Sequence, residues 1–101
     1  MKQKAFTITQ QKGFQIVFPN GYILSTQFGP ANYCDNYNMD IWTEGELAGK
    51  QGSNQVEIAI FKDDELIRLP KKLRADTEGI VDGYIDIEKW LKYVKWVSKQ
   101  K

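Results

Sequence analysis

Pro19-Asn20-Gly21 stands between two apolar stretches, Phe14-Gln15-Ile16-Val17-Phe18 and Tyr22-Ile23-Leu24-Ser25-Thr26-Gln27-Phe28, and constrains the fold more than any other feature of the chain. Asn and Gly both tolerate positive φ, which suits a two-residue type I′ turn and sets the flanking strands antiparallel. Upstream, Ala5-Phe6-Thr7-Ile8-Thr9 alternates in polarity and reaches the second strand through Lys12-Gly13. Three sequential strands, closed by Gly29-Pro30, therefore make a meander.

Alternation returns at Gln55-Val56-Glu57-Ile58-Ala59-Ile60-Phe61, turns at Lys62-Asp63-Asp64-Glu65 and continues into Leu66-Ile67-Arg68-Leu69, the pattern of a hairpin. Pro70 opens a short helical turn through Lys71-Lys72-Leu73-Arg74, and a brief strand at Ile80-Val81 or Tyr84-Ile85 follows Gly79. At the C-terminal end, Asp86 caps a helix whose apolar positions are Ile87, Trp90, Leu91, Val94 and Val97, recurring every three or four residues as one stripe. Glu88 in the first turn and lysines in the last both complement the helix dipole. The expected fold is α+β: an antiparallel sheet of five to six strands (an N-terminal meander plus a hairpin) with one C-terminal amphipathic helix on one face. At 101 residues, one domain spanning 1–101 is expected.

Several kinds of chemistry are poorly served by this composition. Histidine is absent and Cys34 is the one cysteine, which excludes a disulfide framework and a Cys/His zinc site. The usual proton carrier near neutral pH is missing as well. Cys34 lies beside Asp35, whose negative charge raises a thiol pKa and weakens the nucleophile, so Cys34 reads better as a minor hydrophobe. Asp63-Asp64 are ordinary turn acids. Asp35-Asn36-Tyr37-Asn38-Met39-Asp40 alternates oxygen ligands as a calcium loop does, but Ile41 stands where such a loop has glycine. The glycines match no phosphate-binding fingerprint. A protein that is not an enzyme, and that holds no metal or cofactor, is the expectation.

Charge is segregated behind a formal net charge of +1. No charged residue occurs from Gly13 to Cys34, Asp35, Asp40, Glu44 and Glu46 follow, and after Glu88 only lysines remain. Between 29 and 54 the periodicity disappears, and a connection of that length in a small domain usually marks a functional loop or a misread element. Within it, Asn32, Tyr33, Asp35, Asn36, Tyr37, Asn38 and Trp42 are the residue types of recognition loops, with aromatics for area and amides for adaptable hydrogen bonds. Two roles stay open for this segment: a binding surface, or a cover folded back over one sheet face. On the helix, about 100° per residue places Trp96 roughly opposite Val94, among Lys89, Lys92 and Lys99. Trp96 is there either a contact residue or one covered by lysine stems, and the same combination suits nucleic acid.

The run Gln27-Phe28-Gly29-Pro30-Ala31-Asn32-Tyr33-Cys34-Asp35-Asn36-Tyr37 resembles a segment of small bacteriophage-encoded proteins of unknown function. Val56-Glu57-Ile58-Ala59-Ile60-Phe61 and Gly83-Tyr84-Ile85-Asp86-Ile87 are similar to that family's strand and pre-helix pieces, so the resemblance extends from Asn20 to about Val94. It implies synthesis inside an infected bacterium and supplies no catalytic residue to carry over. By analogy with many small phage proteins, the expected activity is to inhibit or sequester a bacterial host factor, including a component of anti-phage defence, through the 29–54 loop. The partner is then a host protein or a small signalling molecule, with a nucleic-acid-associated role on the lysine face of the helix as the alternative. A single thiol, together with the lack of an apolar run after Met1-Lys2-Gln3-Lys4, fits the bacterial cytoplasm and no membrane. Surplus aromatics and an open sheet edge point to a homodimer.

Overall fold

The computed structural model describes residues 3–9, 13–29, 32–35, 52–74 and 79–101. Six strands and one helix occur in these segments: β1 (Phe6–Thr9), β2 (Gly13–Val17), β3 (Ile23–Gln27), β4 (Val56–Lys62), β5 (Glu65–Leu66), β6 (Asp82–Ile85) and α1 (Ile87–Ser98). All pairings are antiparallel, in the order β1-β2-β3-β4-β5, and β6 pairs with β4 as well. The fold is the α+β sheet with a C-terminal helix that the alternation of residue types dictates. The pairing considered for Ile41-Trp42-Thr43 lies outside the described residues.

Register lines the apolar positions up in two rungs. One runs through Ile8, Phe14, Thr26 and Ile58, the other through Phe6, Ile16, Leu24 and Ile60. Successive side chains on a strand point to opposite faces, so both rungs lie on one face, the face that α1 crosses. The opposite face carries Thr7, Thr9, Gln15, Ser25 and Gln27, and Gln27 Nε2 donates to Thr9 Oγ1 (2.6 Å) and Ser25 Oγ (3.1 Å). Burial is complete only toward β3 and β4, where Leu24, Ile58 and Ile60 meet Leu69, Ile85, Tyr93 and Val97.

The turns divide differently from the sequence-based expectation. Residues 19–21 form a three-residue loop: Gly21 N–H donates to Phe18 O (2.9 Å), and the Phe18 N–H to Tyr22 O bond (2.8 Å) brackets it. Only Gly21 of the Asn-Gly pair takes positive φ, +89°. Pro19 is the reason, because its fixed negative φ suits the first central position of a type I turn, and the loop is completed by a left-handed glycine. The tight two-residue connection instead joins β4 to β5, where Asp63 and Asp64 sit at φ 53° and 66°, a conformation that short acidic side chains tolerate. At Pro70 the chain makes the expected single turn, with Leu73 and Arg74 N–H both donating to Pro70 O.

The helix begins as expected: Asp86 accepts from Lys89 N–H (2.9 Å), with Glu88 in the first turn. Its rotation is not the expected one. Tyr93 and Val97 are the buried positions, Trp90, Val94 and Trp96 pack partly against the core, and Ile87 and Leu91 face outward. One hydrogen bond accounts for the difference, and a second holds Trp90 where the stripe placed it. Tyr93 Oη–H donates to the buried Asp82 carboxylate (2.7 Å), which Lys89 Nζ also meets at 2.9 Å, and Trp90 Nε1–H donates to Thr26 Oγ1 (2.8 Å). A tyrosine with a satisfied polar end buries more area than the Ile or Leu it displaces.

Asn20 closes the structure over a long sequence separation. Its Nδ2 donates to Val97 O and Gln100 O, both at 2.8 Å, while its Oδ1 accepts from Tyr22 N–H (3.0 Å) and its carbonyl from Lys62 Nζ (3.0 Å). The turn between β2 and β3 thus gives a side-chain donor to Val97 O, which also accepts from Gln100 N–H, and to Gln100 O just past the end of α1. Asn20→Ala is expected to cost about 1–3 kcal/mol, because partly buried acceptors lose their donor. Urea unfolding measures it, and a loss within experimental error would show that the clasp carries no stability.

Candidate recognition surfaces

The described ends of the 29–54 segment are fastened rather than free. Asn32 is buried, its Oδ1 accepts from Gly29 N–H (3.0 Å), and its Nδ2 donates to Glu57 Oε1 (3.0 Å). Cys34 is buried beside Gly29 O. Asp35 Oδ2 accepts from Asn54 N–H (2.9 Å) and so draws the two ends of the segment together. Of the candidate residues, Asn32 and Asp35 therefore hold the base of the segment. Asn36, Tyr37, Asn38 and Trp42 lie outside the described residues.

Tyr33, like Asp35, reaches solvent at this corner, where it stacks on Tyr84 with ring centroids 6.0 Å apart and planes 28° apart. Tyr84 N–H donates to Tyr33 O (2.7 Å), and Tyr84 has φ +53° in an irregular stretch of the β4–β6 ladder. Gly83 makes this possible, since a Cβ there would collide with the Cβ of Tyr33. A non-glycine residue held in the left-handed region is a store of strain, and such residues gather at binding sites. The sequence reading missed Tyr84; its signal was a Gly-Tyr pair directly ahead of the helix cap.

An apolar flank lies on one side of α1. The rungs of the sheet continue past the helix to β1, where Phe6 is 74% and Ile8 80% exposed, and the helix adds Ile87 at 64% and Leu91 at 54%. Phe14 packs edge-on against Trp90 between them, with ring centroids 6.4 Å apart. Deeper in this flank a cavity of about 180 Å³ is lined by Phe14, Phe28, Val56, Ile87 and Trp90, with Ser53 and Asn54 of the segment's base at its edge.

On the other side of α1 the surface is basic. Trp96 is not on the helix's outer face: it packs partly against the core and borders a cleft of about 280 Å³ with Pro70 and Leu73, ringed by Lys72, Lys92, Lys95 and Lys99. The rotation of the helix brings this about, turning Trp96 inward as Leu91 turns outward.

Among the described residues, no three His, Cys, Asp or Glu side chains come together to hold a metal ion, and no helix is long and apolar enough to cross a membrane. The chain matches no protein-family model, no curated protein and no solved structure. What these surfaces offer chemically is contact: a rigid tyrosine pair, an apolar flank and a cationic cleft.

The strain at Tyr84 makes a measurable prediction. Glycine relieves a left-handed cost of about 1–2 kcal/mol while giving up a ring pair of about 0.5–1.5 kcal/mol. Tyr84→Gly should therefore stay close to wild-type stability. Tyr84→Val, equally without the ring but β-branched, should fall at least about 1 kcal/mol below the glycine variant. Equal melting temperatures for the two variants would mean that residue 84 relaxes out of the left-handed region.

Proposed function

We propose that the protein is a non-enzymatic binding protein that inhibits or sequesters a bacterial host protein, with the apolar flank of α1 and β1 as its main contact surface and the base of the 29–54 segment at its border. One observation carries the reading: Phe6, Ile8, Ile87 and Leu91 are all more than half exposed, the first two on the sheet face that α1 crosses and the last two on α1 itself. Together they leave on the order of 500 Å² of apolar side chain in water, toward the upper end of what a monomer ordinarily leaves uncovered. Covering that area is worth about 12 kcal/mol gross at ~25 cal/mol per Å². Association itself costs roughly 4–15 kcal/mol. The flank alone thus supports a weak complex, and a tight one needs further anchors, for which the Tyr33 and Tyr84 pair is suited. The resemblance to phage-encoded proteins supports a host factor as the target, and a broad, shallow surface suits a protein better than a small signalling molecule.

Ile8→Asp with Leu91→Asp tests this. Both side chains are exposed, so the folded domain should change in stability by no more than about 0.5 kcal/mol per site. Wild-type protein should capture a host protein that, once purified, binds directly in calorimetry, and the double variant should lose that binding at least tenfold. Undiminished binding by a folded double variant would place the interface elsewhere. A wild-type dimer that the two substitutions turn into monomers, with no host protein captured, would assign the flank to a second copy and sink the proposal.

A further inference from the structure

The cleft on the opposite side of α1 has a composition that its structural role does not require. Lysines in the last turn of a helix are expected, because they complement the dipole. Lys72, however, comes from the turn after Pro70 and has no part in that effect, yet it rims the same cleft as Lys92, Lys95 and Lys99. Lys92 with Lys95 and Lys95 with Lys99 are three and four residues apart on one helix, spacings at which like charges repel. Among the described residues no carboxylate lines the cleft, although Lys72 and Lys92 also border the adjoining hollow that holds Asp82, Asp86 and Glu88. The ion pair of Lys89 with Asp82 lies outside the cleft. Beneath the ammonium groups the lining is apolar: Pro70, Leu73 and the half-buried Trp96.

We infer that this cleft is a second contact site, one that docks an acidic peptide segment bearing a single large apolar side chain. Charge complementarity sets the acidic requirement: four cations converge from two separate elements, and no carboxylate is among the described residues that line the cleft. The cavity sets the anchor. At about 280 Å³ it falls just short of the ~300–1,000 Å³ of a site for a whole small ligand, and it suits one leucine or phenylalanine side chain. A phosphate backbone would find the same lysines, but base stacking needs an open ring face. Trp96 is instead packed against the core, and the net charge of the chain is only +1. The acidic peptide is therefore the favoured occupant.

A fluorescent peptide with acidic residues on both sides of one leucine or phenylalanine is the probe. Three comparisons go with it: the same peptide with alanine at the anchor, an all-glutamate peptide of equal charge, and a single-stranded oligonucleotide of equal length. The anchored peptide should bind with an affinity that falls as salt rises. It should bind at least threefold more tightly than the alanine or all-glutamate peptide, and lose at least tenfold with Lys72→Glu and Lys95→Glu together. Both lysines are exposed, so the variant stays folded, as a thermal melt verifies. The inference is overturned by absent binding at millimolar peptide, by affinity that the two reversals leave unchanged, by equal binding of the all-glutamate peptide, or by tighter binding of the oligonucleotide. Because the assay uses no host partner, its outcome is independent of what becomes of the apolar flank.

Discussion

The hydroxyl of Tyr93 on the buried carboxylate of Asp82 decides how the helix is turned, and much of the surface follows from that. Asp82 is almost fully enclosed, and burying a carboxylate is costly unless it is paired and hydrogen-bonded. Tyr93 and Lys89 satisfy it together, from adjacent turns of α1. With Tyr93 pointing into the core, the helix has no freedom to present Ile87 and Leu91 to the sheet as well. They are carried to one flank, and Trp96 is drawn in on the other. One buried polar contact thereby exposes an apolar strip on the β1 side and builds the floor of a basic cleft on the Pro70 side.

The width of α1 against the sheet produces the same division. Strands lie about 4.8 Å apart and a helix with its side chains is about 10 Å across, so α1 covers roughly two strands. β3 and β4 take that cover, and their rung residues Leu24, Ile58 and Ile60 disappear from solvent. The rungs keep their apolar character out to β1, although nothing described lies above it. A chain that needed β1 only for stability could have ended its rungs in threonine there, as it does on the other face with Thr7 and Thr9. Phe6 and Ile8 are hard to account for by packing within the described domain.

Strand positions, hairpin order and the capped helix were legible because each has a local signature: alternation, turn residues, and Asp86 ahead of an apolar repeat. The exact turns were less so. Asn20-Gly21 reads as a type I′ pair until Pro19 is allowed to set the geometry, and Asp63-Asp64 carries the tighter turn without any glycine. The rotation of α1 was not legible, because Tyr93 gains its place from Asp82 eleven residues earlier, and a hydrophobicity pattern gives a tyrosine no credit for a partner it meets only in three dimensions. The same limit applies to Asn32 and Asp35. Their residue types fit a recognition loop, yet their hydrogen bonds to Gly29, Glu57 and Asn54 employ them in holding the ends of the 29–54 segment.

The surfaces proposed for binding are thus set apart from the contacts that hold the fold. Asn20, Tyr93, Trp90 and Asp82 are engaged in bonds that span much of the sequence, and the core lies against β3 and β4. Phe6, Ile8, Ile87 and Leu91 stand outside that framework, as do Lys72, Lys92, Lys95 and Lys99. Exposed positions away from caps and cores change stability little when substituted, whereas removing one partner of a buried bond leaves the other with its full desolvation penalty. Such an arrangement lets the flank and the cleft vary toward new partners while the fold stays intact. Tyr84 is the exception: its left-handed backbone and its bond to Tyr33 O join a surface aromatic directly to the β4–β6 ladder. A partner that pressed on that ring would act on the sheet edge itself, so at Tyr84 the proposed binding would be coupled to stability.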